Sequence, residues 1–123
     1  MIKKLKNSKE TTYENLHNGK GLVCISTLLD KKDKVRGLDM FAEVKISVGA
    51  SIGYHIHNSD SEAYYITEGS GIFYDNQKEK KPISRGDLCL ITQNQGHGII
   101  NTGSEPLTMV AIVWSTKDKN IVD

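Results

Sequence analysis

Between residues 40 and 48 every second residue is apolar: Met40, Ala42, Val44, Ile46 and Val48. Glu43, Lys45 and Ser47 alternate with them. A helix does not present that period, because its faces repeat every 3.6 residues rather than every two. The segment therefore reads as a strand with one buried face. Phe41 breaks the polarity of the other face and is expected to pack against another sheet or chain. The same short rhythm recurs at residues 22–29, 54–57, 62–67, 72–75, 88–92, 99–101 and 107–114. Between these runs stand glycine, asparagine, serine and aspartate, the residues that make turns. Residues 76–81 are expected to form a charged hairpin tip, and residues 8–16 to hold one helical turn. About nine short strands in a chain of this size predict an all-β barrel or sandwich.

A chain of 123 residues makes one domain and buries enough surface to fold without cross-links. Cys24 and Cys89 lie in apolar runs and are expected to pack as small hydrophobes. Lysine plus arginine is 16 against 15 for aspartate plus glutamate. That balance gives no basic field for binding nucleic acid by counterion release. Lys3, Lys4, Lys6 and Lys9 read as a solvated terminus. No run of ~18 continuous apolar residues marks a membrane span, and no apolar stretch follows the first lysines as in a secretory signal. The expectation is a soluble cytoplasmic protein, with neither nucleic acid nor membrane as partner.

The stretch "GASIGYHIHNSDSEAYYITEG" carries two of the four histidines. Residues two apart on a strand share a face, so His55 and His57 project together, ~7 Å apart by strand rise. Asn58 to Ser61 is a run of turn formers. Glu62 then opens the partner strand on the same face. Two imidazoles and a carboxylate are the beginnings of a transition-metal site. Such a set suits manganese, iron, nickel, copper or zinc better than calcium or magnesium. A surface hairpin without chemistry is the rival reading. His97, between Gly96 and Gly98, is distant in sequence, but a barrel can bring it opposite the first pair.

These residues resemble the cupin superfamily, in particular its small single-domain members. Gly49, His55, His57, Glu62 and Gly69 match the first motif, G-x5-H-x-H-x4-E-x6-G, at every defined place. Gly86, His97 and Asn101 match the second, G-x5-P-x-G-x2-H-x3-N. Thr92 and Asn94 stand where proline and glycine are usual. Asparagine tolerates left-handed backbone, so Asn94 can do the glycine's work, whereas Thr92 leaves that turn less rigid. The resemblance spans about residues 40 to 114. It implies an antiparallel jelly-roll β-barrel, commonly a homodimer, with a divalent transition metal (manganese, iron, nickel or zinc) held by His55, His57, Glu62 and His97. Residues 37–116 would form the barrel, 1–36 an N-terminal strand or arm packing on the barrel or a dimer partner, and 117–123 a tail.

Strand parity places Tyr64 toward the pocket and Tyr65 away. Tyr64 is the candidate catalytic residue, a proton-transfer partner; lining the wall is its alternative role. Val44, Ile46, Ile66 and Ile99 make apolar walls, while Tyr54 and Ile56 are expected to pack against a second sheet. Asn101 reads as a turn-holding residue. His17 has no partner in sequence and reads as a surface histidine, unless its segment folds over the barrel mouth. Trp114 would line the mouth or a dimer contact. Neither Arg36 nor Arg85 occupies an inward strand position, and Lys45 is outward, so an anion would bind mainly the metal. This weighs against an oxalate-decarboxylase-like reading.

The expected function is a metal-dependent enzyme acting on a small oxygenated metabolite, by decarboxylation, isomerisation, elimination or dioxygenation. A binding protein for a small molecule or sugar is the alternative. A structural barrel with a vestigial site is a third reading, less attractive because all four ligand positions are present.

Overall fold

The computed structural model describes residues 1–115. Among these, ten strands follow one another: β1 Lys9–Glu14, β2 Leu22–Asp30, β3 Leu38–Ile46, β4 Ser51–Ile56, β5 Ser61–Glu68, β6 Ser70–Asp75, β7 Glu79–Ser84, β8 Leu88–Ile91, β9 Gly96–Asn101 and β10 Leu107–Trp114. They form two antiparallel sheets, a six-stranded one ordered β1-β2-β3-β10-β5-β8 and a four-stranded one ordered β4-β9-β6-β7. The fold is the expected jelly-roll barrel. From β3 onward the chain passes between the sheets at every connection except the β6–β7 hairpin, and the two inner faces close on a shared core.

The alternation in β3 does what its period requires. Ala42, Val44 and Ile46 are buried, and Lys45 is exposed and lies 3.9 Å from Glu43. Ile66, Ile91, Leu107 and Met109 fill the core from the same sheet, and Ile52, Phe73 and Ile99 from the other. These apolar side chains supply the main driving force for closure. Cys24 and Cys89 are both free thiols.

Two expectations about secondary structure fail. Residues 9–14 are a strand, not a helical turn: β1 pairs with β2 from Lys9↔Thr27 to Glu14↔Leu22. Thr11, Thr12 and Tyr13 favour a pleated surface, and short 3-10 turns at Leu5–Asn7 and Leu16–Asn18 flank them. The charged tip is also shorter than expected. Only Asn76–Lys78 turns, and β7 then pairs with β6 along its whole length. β7 is the edge of its sheet, where lysines and a proline suit a strand that must not recruit another. The tail at 117–123 lies outside the described residues.

Candidate metal centre

β4 and β9 run antiparallel with His55 directly opposite His97. His57 extends β4 by one further step. Its N–H donates to the carbonyl of Gln95, and its carbonyl accepts from the N–H of Asn94. Glu62, on β5, enters from the facing sheet. The structure thus brings together all four residues that the sequence singled out.

Nε2 of His57 is 3.2 Å from Nε2 of His55, 3.1 Å from Nε2 of His97 and 3.2 Å from Oε1 of Glu62. Oε1 of Glu62 is 3.0 Å from Nε2 of His97. One ligand atom from each residue lies within 4.8 Å of every other. Separations near 3 Å are what two donors at right angles make when each is about 2.1 Å from one cation. The outer bonds fix which nitrogen faces inward. Nδ1 of His55 lies 2.7 Å from the Gly53 carbonyl, which can only accept, so this nitrogen carries the proton and Nε2 presents its lone pair. Nδ1 of His57 lies 2.5 Å from Oδ1 of Asp60, with the same result. The donor set fits a first-row transition metal.

The buried Glu62 carboxylate dominates the electrostatics of the cluster. Burial lowers His55 to about 4, although its bond to Gly53 opposes the change. Burial pushes Glu62 up, but hydrogen bonds from His57 and His97 outweigh it and hold the carboxyl at about 2. The Glu62 bond raises His57, against burial and with help from Asp60. The carboxylate thus favours positive charge beside it. Glu62 and His97 are buried, whereas His55 and His57 are only partly covered. The cluster opens on the His55–His57 side.

Tyr64 points inward as expected and is almost fully buried. Its ring stacks on His97 with centroids 4.9 Å apart, and its hydroxyl is 3.5 Å from Nε2 of His97. Burial, then the Glu62 charge, pushes its pKa well above 10, so it keeps its proton. Tyr65 is exposed. Asn101 holds a turn: its amide donates to the carbonyls of Ile46 and Glu105, and its side-chain oxygen accepts from the N–H of Gly103. Asn94 adopts φ 71°, the conformation expected of a glycine there. The turn without proline is closed by Gln95, whose side chain accepts from the N–H of Thr92 while its own N–H donates to the Thr92 carbonyl. Arg36 and Arg85 are exposed. Ile56 is 57% exposed, not packed on a second sheet, because it lies on the outer face of β4. Tyr54, its neighbour on that face, covers Gly96, and its hydroxyl accepts from the N–H of Gln77.

Two participants escaped the sequence reading. Asp60 read only as a turn former, yet its carboxylate holds the His57 ring. His17 does not stand alone at the surface: its ring lies on that of His55, with centroids 3.8 Å apart and planes 12° apart. No pattern in the sequence links residue 17 to residue 55.

The family model for the cupin domain matches residues 42–113. The chain belongs to the cupin family. It is 38% identical over 109 residues to the oxalate-binding protein of Thermotoga maritima, covering 86% of this chain and 89% of that one. The crystal structure of a predicted oxalate decarboxylase from Thermotoga maritima superposes with a TM-score of 0.88 at 33% identity, over 94% of this cupin and 99% of that chain. Ectoine synthase from P. lautus shares the fold alone, with a TM-score of 0.72 at 19% identity, over 94% of this chain and 78% of its own.

Proposed function

We propose that this cupin is a metal-dependent enzyme acting on a small dicarboxylate of the oxalate class, with the metal held by His55, His57, Glu62 and His97. The convergence of three Nε2 atoms and one carboxylate oxygen on one point carries the reading. The names of the two Thermotoga maritima relatives support the ligand class. When bound, a divalent metal supplies Lewis acidity and open coordination positions for two oxygens of a chelating ligand. An anion held that way does not need an arginine, which answers the objection drawn from the positions of Arg36 and Arg85.

The chain's own residues do the rest. Glu62 and the three imidazoles set the site's charge. Ile66, Ile91 and Ile99 are fully buried in the core cluster that includes Tyr64. The Tyr64 O–H is the nearest proton donor behind the ligands. Decarboxylation of the oxalate dianion breaks its C–C bond, releases carbon dioxide and leaves the bonding pair on the other carbon, which takes one proton to become formate; solvent then returns a proton to the donor. Tyr64 is proposed as that donor. One observation favours the alternative of binding without turnover: Tyr64 lies against His97, on the buried side, and not at the opening.

The outer face of the six-stranded sheet supports a homodimer. Phe41, Ile112, Ala63 and Leu90 follow one another across β3, β10, β5 and β8, and Val110, Tyr65 and Leu88 form a second row. Tyr65, Leu88 and Leu90 are exposed there. Such a patch is suited to a two-fold contact between copies. A cytoplasmic location remains the expectation for a chain of this composition.

The test is calorimetric titration of oxalate into the manganese-loaded protein, followed by a formate assay on the same sample. Binding and formate release in the natural protein, with release lost in Tyr64→Phe, support the enzyme. Tight binding without release supports the binder. Absence of binding, in a protein that holds its metal, overturns the ligand class. A Glu62→Gln variant that keeps full metal content overturns the ligand set.

A further inference from the structure

The segment before β2 is built at some cost against the metal site. Asn15, His17 and Asn18 all have positive φ, at 57°, 52° and 63°, a conformation that disfavours residues with a Cβ. Tight packing against β4 holds them there. A Cβ on Gly53 would come within 2.0 Å of the His17 carbonyl oxygen, and a Cβ on Gly19 within 2.3 Å of the Ser51 carbonyl oxygen. The N–H of Ser51 donates to the Lys20 carbonyl at 2.8 Å, and the N–H of Lys20 to the Ser51 hydroxyl at 3.0 Å. Leu16 packs on the core. The clamp has one outcome at the site: the His17 ring lies flat on His55.

Two contacts therefore converge on one metal ligand. The His17 ring covers the face of the His55 ring. The His17 backbone presses on Gly53, the residue whose carbonyl accepts the His55 proton. Among the described residues, neither ring nitrogen of His17 has a hydrogen bond. The ring is held by its stack and its backbone, with its remaining surface in solvent.

We propose that His17 is a positioning residue of the metal centre, which fixes the orientation of the His55 imidazole by stacking and so pre-organises that ligand for the cation. The inference rests on the reading of His55 as a ligand. Partners that orient a metal-binding histidine are worth 10- to 100-fold in metal affinity. A flat aromatic ring is the operative feature, so phenylalanine should replace histidine at this position and alanine should not.

Cobalt(II) alone, titrated into metal-stripped full-length protein, tests it, with the visible spectrum of the bound ion as a second readout. Expected are a loss of about tenfold in affinity and an altered spectrum for His17→Ala, with both restored in His17→Phe to within about threefold. Gly53→Ala, which drives the His17 carbonyl off β4, should behave like His17→Ala. Unchanged affinity in His17→Ala overturns the proposal, and so does a His17→Phe variant as weak as His17→Ala with native circular dichroism. If the natural protein takes up no cobalt, the metal reading of the previous section is what fails. The His55 ring protons of the metal-free protein then decide the stack: shifts that His17→Ala leaves unmoved overturn it.

Discussion

Oδ1 of Asp60 lies 2.5 Å from Nδ1 of His57, closing a three-residue loop between a metal-ligand candidate and the turn that leads to the next strand. The contact fixes the His57 tautomer and sharpens its lone pair. Asp60→Ala is predicted to weaken metal affinity by about 10- to 100-fold while leaving the barrel folded. Titration with zinc or manganese, beside circular dichroism of the same samples, checks this. An affinity equal to that of the natural protein would show that the turn alone positions the ring.

Acid should release the metal, with His57 as the main competitor. Its pKa is raised in the metal-free protein, first by Glu62, so a proton there opposes the cation. The raised value means that this proton stabilises the metal-free fold below the ordinary histidine pKa, and that the gain is lost as pH rises through the raised value. Metal affinity runs the other way and should climb over that interval. His55, lowered to about 4, contributes stability that is complete above 6.5 and lost as pH falls through about 4. Glu62, held at about 2, contributes stability that is complete above 4.5 and lost as pH falls through about 2. Metal content measured after dialysis across this range should drop below about pH 5. Full occupancy at pH 4 would require a different ligand set.

The apolar outer face predicts a dimer that charge can split. Leu88→Lys combined with Leu90→Lys should convert it to a monomer that still binds metal, since both side chains point away from the site. Light scattering after size exclusion reads the outcome. A natural protein that is already monomeric refutes the interface.

Gln95 takes over what a proline does in the usual form of this turn. Gln95→Ala should cost about 1 kcal/mol, a fall in melting temperature of about 3–5 °C for a domain of this size. Thr92→Pro removes the N–H that Gln95 caps, so in that background the same change should cost little. Two full, additive losses would show that the side chain and the turn are uncoupled.

The barrel and the four converging groups were legible because both are written in local spacing. Period-two alternation gives strands, and His55, His57 and Glu62 lie within eight residues of one another around one turn. His97 needed the family motif, since only the pairing of β4 with β9 makes it a neighbour. Parity also placed Tyr64 and Tyr65 correctly. The misses have physical causes. β1 and β7 are sheet-edge strands, so their exposed faces leave no apolar pattern to read. Asp60 and Gln95 have the composition of any turn, and their roles lie in a side-chain bond that sequence does not display. His17 reaches the site through left-handed backbone at non-glycine residues, which no propensity would place there.

The direct opposition of His55 and His97 carries a consequence for how this protein can vary over time. Side chains alternate from one residue to the next along a strand, so adding or deleting a single amino acid within β4 or β9 would swing an imidazole to the outside of the barrel. Length changes there are all-or-nothing events for the centre. Such drift is tolerated only where the count does not matter, in connections such as the one that joins β2 to β3.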